Sequence, residues 1–560
     1  MVKSNKRYLR LLLLLAGLIL LNVAAQQFYS RLDFTKEKRF TLTEKSRQVL
    51  QTGAEEVNIT VFLEGDLPAA FKRLRNATQD LLADYKASSK IKMNVVFVDP
   101  ISGLPLDQQD TVISRLYAVG VEPTTLNIKN DNGFAQKTIF PVAIVAANGR
   151  QVPIKLLQNM DASGSYEENI NSSIQNLEYI FTSAIKKVVT GSNPRIGFTE
   201  GNGELSDLQL GDAIKSLSST YEVGRVNLNV IDKAGLDRLK VLFVTKPQAA
   251  FTEAEKYKIN YFVMNGGRVV WSIDQVSADL DSLKGKSEQL AFNKSLNLDD
   301  MLFMYGARVN YNLVADANCV EIPLAMGGGS QNEIQMAPWV YYPILMPDTV
   351  SDVVKNIDGI RSEFLSTVDT LGVKGIKKQV ILYTSAFNKV HNTPKMMSLQ
   401  MVAEQPDPRD YASVPQSAGV MLEGTFPSVF LNRALPEGIA TAYPVPERSK
   451  ATKMIVIGDG DIFKNQVSAK DNSVFPLGFD RFSQRNYGNK ALLLNIADYL
   501  SNDDNLIALR NKDIKIRLLD KTALRSSKLN WQLINTLLPL ALLVLFAIFQ
   551  HYYRRYKYTR

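Results

Sequence analysis

Several short stretches of the 560-residue sequence carry residue types that could do chemistry. Gly458-Asp459-Gly460-Asp461 sets two carboxylates two residues apart in a glycine-rich turn, which suggests calcium. A full calcium loop needs six or more oxygens and a later acid, and here Ile462 and Phe463 follow. Capping of the next turn by Asp459 is the better reading. Glu200-Gly201-Asn202-Gly203-Glu204 follows an apolar strand pattern, where a glycine-rich turn can cradle phosphate. It lacks both the GxGxxG spacing and the Walker lysine, so a tight connection is expected. Met326-Gly327-Gly328-Gly329-Ser330 precedes no clear helix and reads as a flexible loop. Cys319, in the strand-like run Ala317–Ile322, has no glycine-rich elbow and reads as a buried structural thiol.

Composition narrows the chemistry further. Cys319 is the only cysteine, which excludes an intrachain disulfide and a cysteine-based metal cage. The two histidines are His391 and His551, and the latter lies at the edge of an apolar segment, so a Ser-His-Asp triad has one practical candidate. No Walker A motif occurs. The expectation is a chain that is not an enzyme, with no catalytic residue, no cofactor and no metal.

The net charge of +9 is terminal. Lys3, Lys6, Arg7 and Arg10 lie in the first ten residues and Arg554, Arg555, Lys557 and Arg560 in the last ten, with no acid in either. Those eight are set against 65 basic and 56 acidic residues overall, so the rest of the chain is nearly balanced. This is the footprint of membrane flanks and not of a nucleic-acid groove.

The elements that must position these residues start with two apolar segments. Leu11 to Ala25 reads as a span extended by Tyr8 and Leu9, with a cleaved signal peptide as its rival. Trp531 to Gln550 is uncharged and long enough to cross, with aromatic residues at its edges. Between them, Val57–Leu63 alternates as a strand, Leu67–Ala87 has helical spacing, and Ile91–Val98 is a second strand. Ile139–Ala147 and Val152–Leu156 form a hairpin about Asn148-Gly149, and a helix over Glu167–Val189 closes the unit. This is a thioredoxin-like order of elements without a Cys-x-x-Cys. After a linker at Thr190–Pro194, strands and helices alternate from Arg195 to Ile273 and resume at Lys453–Ile457 and Asn489–Leu500, which predicts a parallel sheet. Residues 300–445 are irregular and rich in Pro and Gly, and read as a large insertion with β elements and loops.

Three stretches resemble the GldG family, the auxiliary subunit of the gliding-motility-associated ABC transporter. They are Arg31–Thr43, Ile196–Glu204 with Phe262–Arg268, and Val456–Phe463, in an order that covers essentially the whole chain. The resemblance implies a complex with an ABC permease subunit and a cytoplasmic ATPase subunit. It implies that the second unit is similar to a domain of intraflagellar transport proteins, related to class I glutamine-amidotransferase-like folds. The Cys–His machinery of amidotransferases is missing at the matching positions. The implied fold class is α/β: a thioredoxin-like N-terminal unit and a larger Rossmann-like, class I glutamine-amidotransferase-like unit, flanked by two transmembrane helices.

The expected layout is a transmembrane helix at 8–27, a juxtamembrane segment at 28–50, the thioredoxin-like domain at 51–190, the second α/β domain at 195–510, a linker at 511–530 and a transmembrane helix at 531–551. The expected role is a non-catalytic subunit of the bacterial inner membrane whose periplasmic bulk couples the permease to an envelope partner. A solute-binding module and an unusual periplasmic enzyme are the alternatives. Arg31, Asp33, Phe34, Phe40 and Leu42 interleave charge and apolar surface directly outside the first span. They are the expected interaction residues, with lipid headgroups as the competing partner. The basic flanks place both termini in the cytoplasm, so reporters fused to each end are expected to register the cytoplasmic side. A periplasmic C-terminus, or a mature chain starting at Gln26, would overturn this.

Overall fold

The computed structural model describes residues 41–501 except 52–55, 120, 122, 131–132, 158–165, 191–193, 219, 284–285, 287, 327–332, 355–356, 403–407, 412, 440–442 and 444. It also describes 521–558 and Leu14, Leu15 and Gly17. Most of the expected first span and of the first juxtamembrane segment therefore lies outside the described residues.

Alternating β-branched residues set the first sheet. In β1 (Glu56–Val61) Val57, Ile59 and Val61 point into the core while Glu56 and Asn58 stay exposed. Helix α1 (Glu44–Gln51) precedes it; α2 (Ala69–Ser88), β2 (Lys92–Phe97) and α3 (Leu106–Ala118) follow. A ribbon of β3 (Thr124–Asn130) and β4 (Gly133–Ile139) leads to β5 (Val142–Ala147), β6 (Arg150–Lys155) and α4 (Tyr166–Thr190). The sheet order is β2-β1-β5-β6, with β1 parallel to β2 and the other pairs antiparallel. Leu74 and Leu82 of α2 and Phe181 and Ile185 of α4 pack on its apolar face. Asn148 and Gly149 both take positive φ, 52° and 73°, as a two-residue type I′ hairpin requires. The stretch 139–147 is not one strand: Pro141 has no N–H to continue a ladder, and β4 ends before it.

The larger unit is built on one mixed sheet. β7 (Arg195–Glu200), α5 (Gly211–Ser218), β8 (Glu222–Asn227), α6 (Lys233–Arg238), β9 (Leu239–Thr245), α7 (Glu253–Met264) and β10 (Arg268–Ser272) alternate as the sequence predicts. Then come β11 (Cys319–Met326), β12 (Glu333–Pro347), β13 (Ile376–Tyr383), β14 (Ser417–Gly424), β15 (Thr452–Ile457) and α8 (Asn489–Ser501). The order is β11-β12-β13-β14-β15-β10-β9-β7-β8. From β8 to β15 the neighbours are parallel; from β15 to β11 they are antiparallel. Residues 300–445 thus contribute strands to the main sheet. Pro323, Pro338, Pro343 and Pro347 lie within β11 and β12. Proline is a strand breaker in sequence terms, which hid them.

The parallel strands are apolar on both sides because helices cover both faces. Phe198, Phe243 and Ile457 share one core with Leu217 of α5 and Leu493 of α8, while Val244, Trp271 and Val456 share the other with Ile259 and Val263 of α7. Helix α7 starts at Glu253 because Thr252 and Glu255 form a capping box.

Helix α9 (Lys521–Tyr558) forms a separate unit. Its stretch Gln532–Tyr558 has 27 residues of mean hydropathy 2.2 and exposes its apolar side chains. Among the described residues it is the one helix long and apolar enough to cross a membrane.

Gly458 shows how tightly the sheet edge is packed. A Cβ there would lie 2.0 Å from the Ser366 carbonyl oxygen, in a place where Ser366 N–H donates to Gly458 O at 2.7 Å. Gly458→Ala is expected to cost about 2–3 kcal/mol through forced backbone shifts. Thermal unfolding of the solubilised chain measures it, and an unchanged midpoint would refute the packing argument.

Candidate functional site

In a parallel α/β sheet the loops after the strands converge at the carboxyl ends, and ligands gather where the strand order reverses. Here that reversal lies between β7 and β9. Three loops deliver charge to this edge: Lys246 follows β9, Asp274 follows β10, and Gly458–Asp461 follows β15. Asp274, Asp459 and Asp461 are buried, and one carboxylate oxygen of each lies within 4.8 Å of the others.

Cations are packed among them. Lys246 Nζ donates to Asp461 and stands 3.5 Å from Asp274. Lys464 Nζ is 2.8 Å from Asp461 and 3.5 Å from Glu363. Lys294 approaches Asp274 at 4.0 Å, and Arg361 pairs with Glu363 at 2.7 Å. Backbone donors supply the rest. Gly460 N–H donates to Asp274 at 2.6 Å, Asp461 N–H to Asp459 at 2.7 Å, and Glu363 N–H to Asp459 at 2.9 Å. The bond from Asp461 N–H is the turn cap expected of Asp459. Gly460 must be glycine, since a Cβ would meet Lys246 Cγ at 2.8 Å and Asp274 Cγ at 2.9 Å. Lys246 itself sits at φ 53°, a left-handed conformation that a lysine holds only when its surroundings fix it.

Burial and these neighbours set the titration. Burial, with Asp461 and Asp274 adding, pushes the Asp459 carboxyl well up. Burial also raises Asp274, although Lys246 opposes it. Burial would raise Asp461 too, but Lys464 and Lys246 outweigh it and hold that carboxyl below the usual range. The two lysines are raised in turn: burial works against their charge, and the acids beside them overcome it. Three carboxylates at this spacing could ligate a hard divalent cation. The lysine ammonium groups already occupy that role, so a metal would have to displace Lys246 and Lys464.

The other candidates are self-contained. Asn202 N–H donates to Glu204 at 2.7 Å and the Asn202 amide donates to Glu255 at 3.3 Å, which makes the turn after β7 the tight connection expected. Burial pushes the Cys319 thiol up to about 12, so it stays protonated at neutral pH. Burial, then Lys395 and Lys389, lowers His391 to about 4, with its Nδ1 3.0 Å from the Tyr341 hydroxyl. Residues 327–330 of the glycine run lie outside the described residues, as do Arg31, Asp33, Phe34 and Phe40. Leu42 is buried in the core of the N-terminal unit. Thr43 N–H and hydroxyl donate to Glu178 of α4 at 2.7 and 2.8 Å, and Ser46 hydroxyl donates to the same oxygen at 2.8 Å. The end of the expected docking stretch is thus fastened to its own domain.

Lys246, Asp274, Glu363 and Lys464 were not singled out in the sequence. A usable signal was present: each of Lys246, Asp274 and Asp459 follows closely on an apolar strand, where a charge must face the carboxyl edge.

Residues 193–496 match the family described as ABC-type uncharacterized transport system, auxiliary, and residues 36–146 match a domain of unknown function. An uncharacterized protein of Borreliella burgdorferi is 21% identical over 514 residues, covering 90% of this chain and 88% of that one. Among solved structures, an intraflagellar transport domain titled mmIFT52 N-terminal domain aligns with a TM-score of 0.31 and 12% identity, over 55% of this chain and 98% of that one.

Replacing Lys246 with Met leaves Asp461 charged and short of a cation, and is expected to cost about 3–5 kcal/mol at neutral pH. Because Asp461 is held below its ordinary pKa of about 4, its contribution is present above that pH and lost as pH falls below it. The deficit of Lys246→Met should therefore narrow in acid. Unfolding of both chains at pH 7 and about pH 3 tests the sign; equal stability at pH 7 would show that the pair carries no weight.

Proposed function

The chain belongs to the ABC-type uncharacterized transport system auxiliary family, and from that premise we propose that it is a non-catalytic, membrane-anchored subunit coupling an ABC permease to an envelope partner. The family makes it a transporter-associated accessory protein. The finer reading adds two spans with both termini cytoplasmic, a periplasmic bulk, a cytoplasmic ATPase beside the permease, and gliding motility as the process served. Helix α9 and the basic flanks of the sequence support the anchoring.

One observation carries the non-catalytic reading. The carboxyl ends of β9, β10 and β15, beside the strand-order reversal, are filled by the chain's own ion pairs, centred on Asp461 between Lys246 and Lys464. The strand orders support the two expected units: β2-β1-β5-β6 suits a thioredoxin-like unit, and β8-β7-β9-β10-β15 suits a doubly wound, Rossmann-like one. A solute-binding role is favoured by a different feature, a groove of about 870 Å³ lined by Met346, Tyr383, Phe387 and Pro415 with Asn318 and Ser385. That volume is within the range of small-molecule sites.

Docking to the permease is assigned to Arg31, Asp33, Phe34 and Phe40, with Leu42 and Thr43 fixing the end of that stretch to the N-terminal unit. Replacing Asp33 and Phe40 together with Ala is expected to cost ~2 kcal/mol or more of partner affinity. Co-purification of permease and ATPase with the tagged full-length chain reads this out. An intact complex with the double variant, at moderate salt, would assign these residues to lipid headgroups instead.

A further inference from the structure

The two α/β units of this chain share no apolar core. Among the described residues, the N-terminal core runs from Leu42 to Val188, and the two sheet-face cores of the larger unit begin at Ile196 and Val226. Polar bonds cross the junction instead, from Tyr179 to Asp498 and from Lys187 to Thr220. Tyr179 of α4 donates its hydroxyl to Oδ2 of Asp498 on α8. Tyr221, beside β8, donates its hydroxyl to Oδ1 of the same carboxylate. Asp498 therefore spends one oxygen on each unit. Lys187, eight residues beyond Tyr179 and on the same face of α4, donates to the Thr220 hydroxyl at 3.4 Å and stands 5.8 Å from the Tyr221 ring.

Both tyrosines are buried, at 7% and 5% exposure, so their hydroxyls must find protein acceptors while the junction is closed. When the units part, water can take over every one of these bonds. An apolar interface would lose far more on opening. Small polar interfaces between domains permit relative motion by default.

We infer that the bond from Tyr179 to Asp498 is a latch that sets the orientation of the N-terminal unit on the larger one, and that its release lets the two units move as rigid bodies. The latch rests on contacts within the chain and stands whether or not the transport reading does. It gives an accessory subunit two states that differ by a few hydrogen bonds.

The test uses the full-length chain with Cys319→Ser and spin labels at Lys86→Cys and Val230→Cys, both exposed and on different units. Electron–electron resonance then reports the distance distribution. Tyr179→Phe removes the bond across the junction and is expected to broaden the distribution about twofold. Tyr221→Phe removes only a bond inside the larger unit and should leave it narrow. Hydrogen exchange of β1, β5, β7 and β9 is expected to match the parent chain in both variants. An unchanged distribution in Tyr179→Phe overturns the latch. So does equal broadening in Tyr221→Phe, or lost protection in either sheet, since each would mean general loosening of packing.

Discussion

Buried carboxylates at the carboxyl edge of the main sheet must be neutralised, and much of the larger unit is arranged around that requirement. Asp274, Asp459 and Asp461 are too close together to stay ionised unaided. Their counter-charges come from Lys246 after β9, Lys464 after β15 and Lys294, while Glu363, paired with Arg361 of a short strand on β12, is a further acid beside Lys464. The network therefore ties the parallel half of the sheet to its antiparallel extension. It also fixes glycine at 460, where a Cβ would meet Lys246 and Asp274. Removing one cation exposes the chain to an uncompensated charge, whereas the complete set is close to neutral.

The same arrangement bears on function. The carboxyl ends of β9, β10 and β15, which many α/β proteins leave open towards a ligand, are here covered by paired side chains of the protein itself. That is an expected property of a domain kept for its shape and its surfaces. Membership of a transporter auxiliary family is consistent with such a use. The groove beside β12 and β13 is the feature that pulls the other way, since it is open and apolar.

Legibility in the sequence followed the range of the interactions. Helix α7 was readable to the residue because its capping box is local, and the β5–β6 hairpin was readable because Asn148-Gly149 prescribes its turn. The apolar strands β9, β10 and β15 were readable from composition alone. Of the antiparallel strands only the start of β11 was readable, because proline interrupts β11 and β12 and the partners of β13 and β14 are distant in the chain. Of the ion cluster, Asp459 and Asp461 stood out as a motif. Lys246, Asp274, Glu363 and Lys464 become partners only once the sheet brings separate loops together. The fastening of Thr43 to Glu178 spans 135 residues and was equally invisible.

Helix α9 has a mechanical consequence. Its 38 residues make a rod about 57 Å long, while the hydrocarbon core of a bilayer is about 30 Å thick. Set across a bilayer, about 27 Å of it stands outside the hydrocarbon as continuous helix. Such a rod is a lever arm. A tilt of about 10° at the membrane would carry its outer end sideways by about 5 Å, a stroke comparable to one helical turn. Motion within the lipid would thereby reach the outer end of the helix as displacement, transmitted along its own backbone.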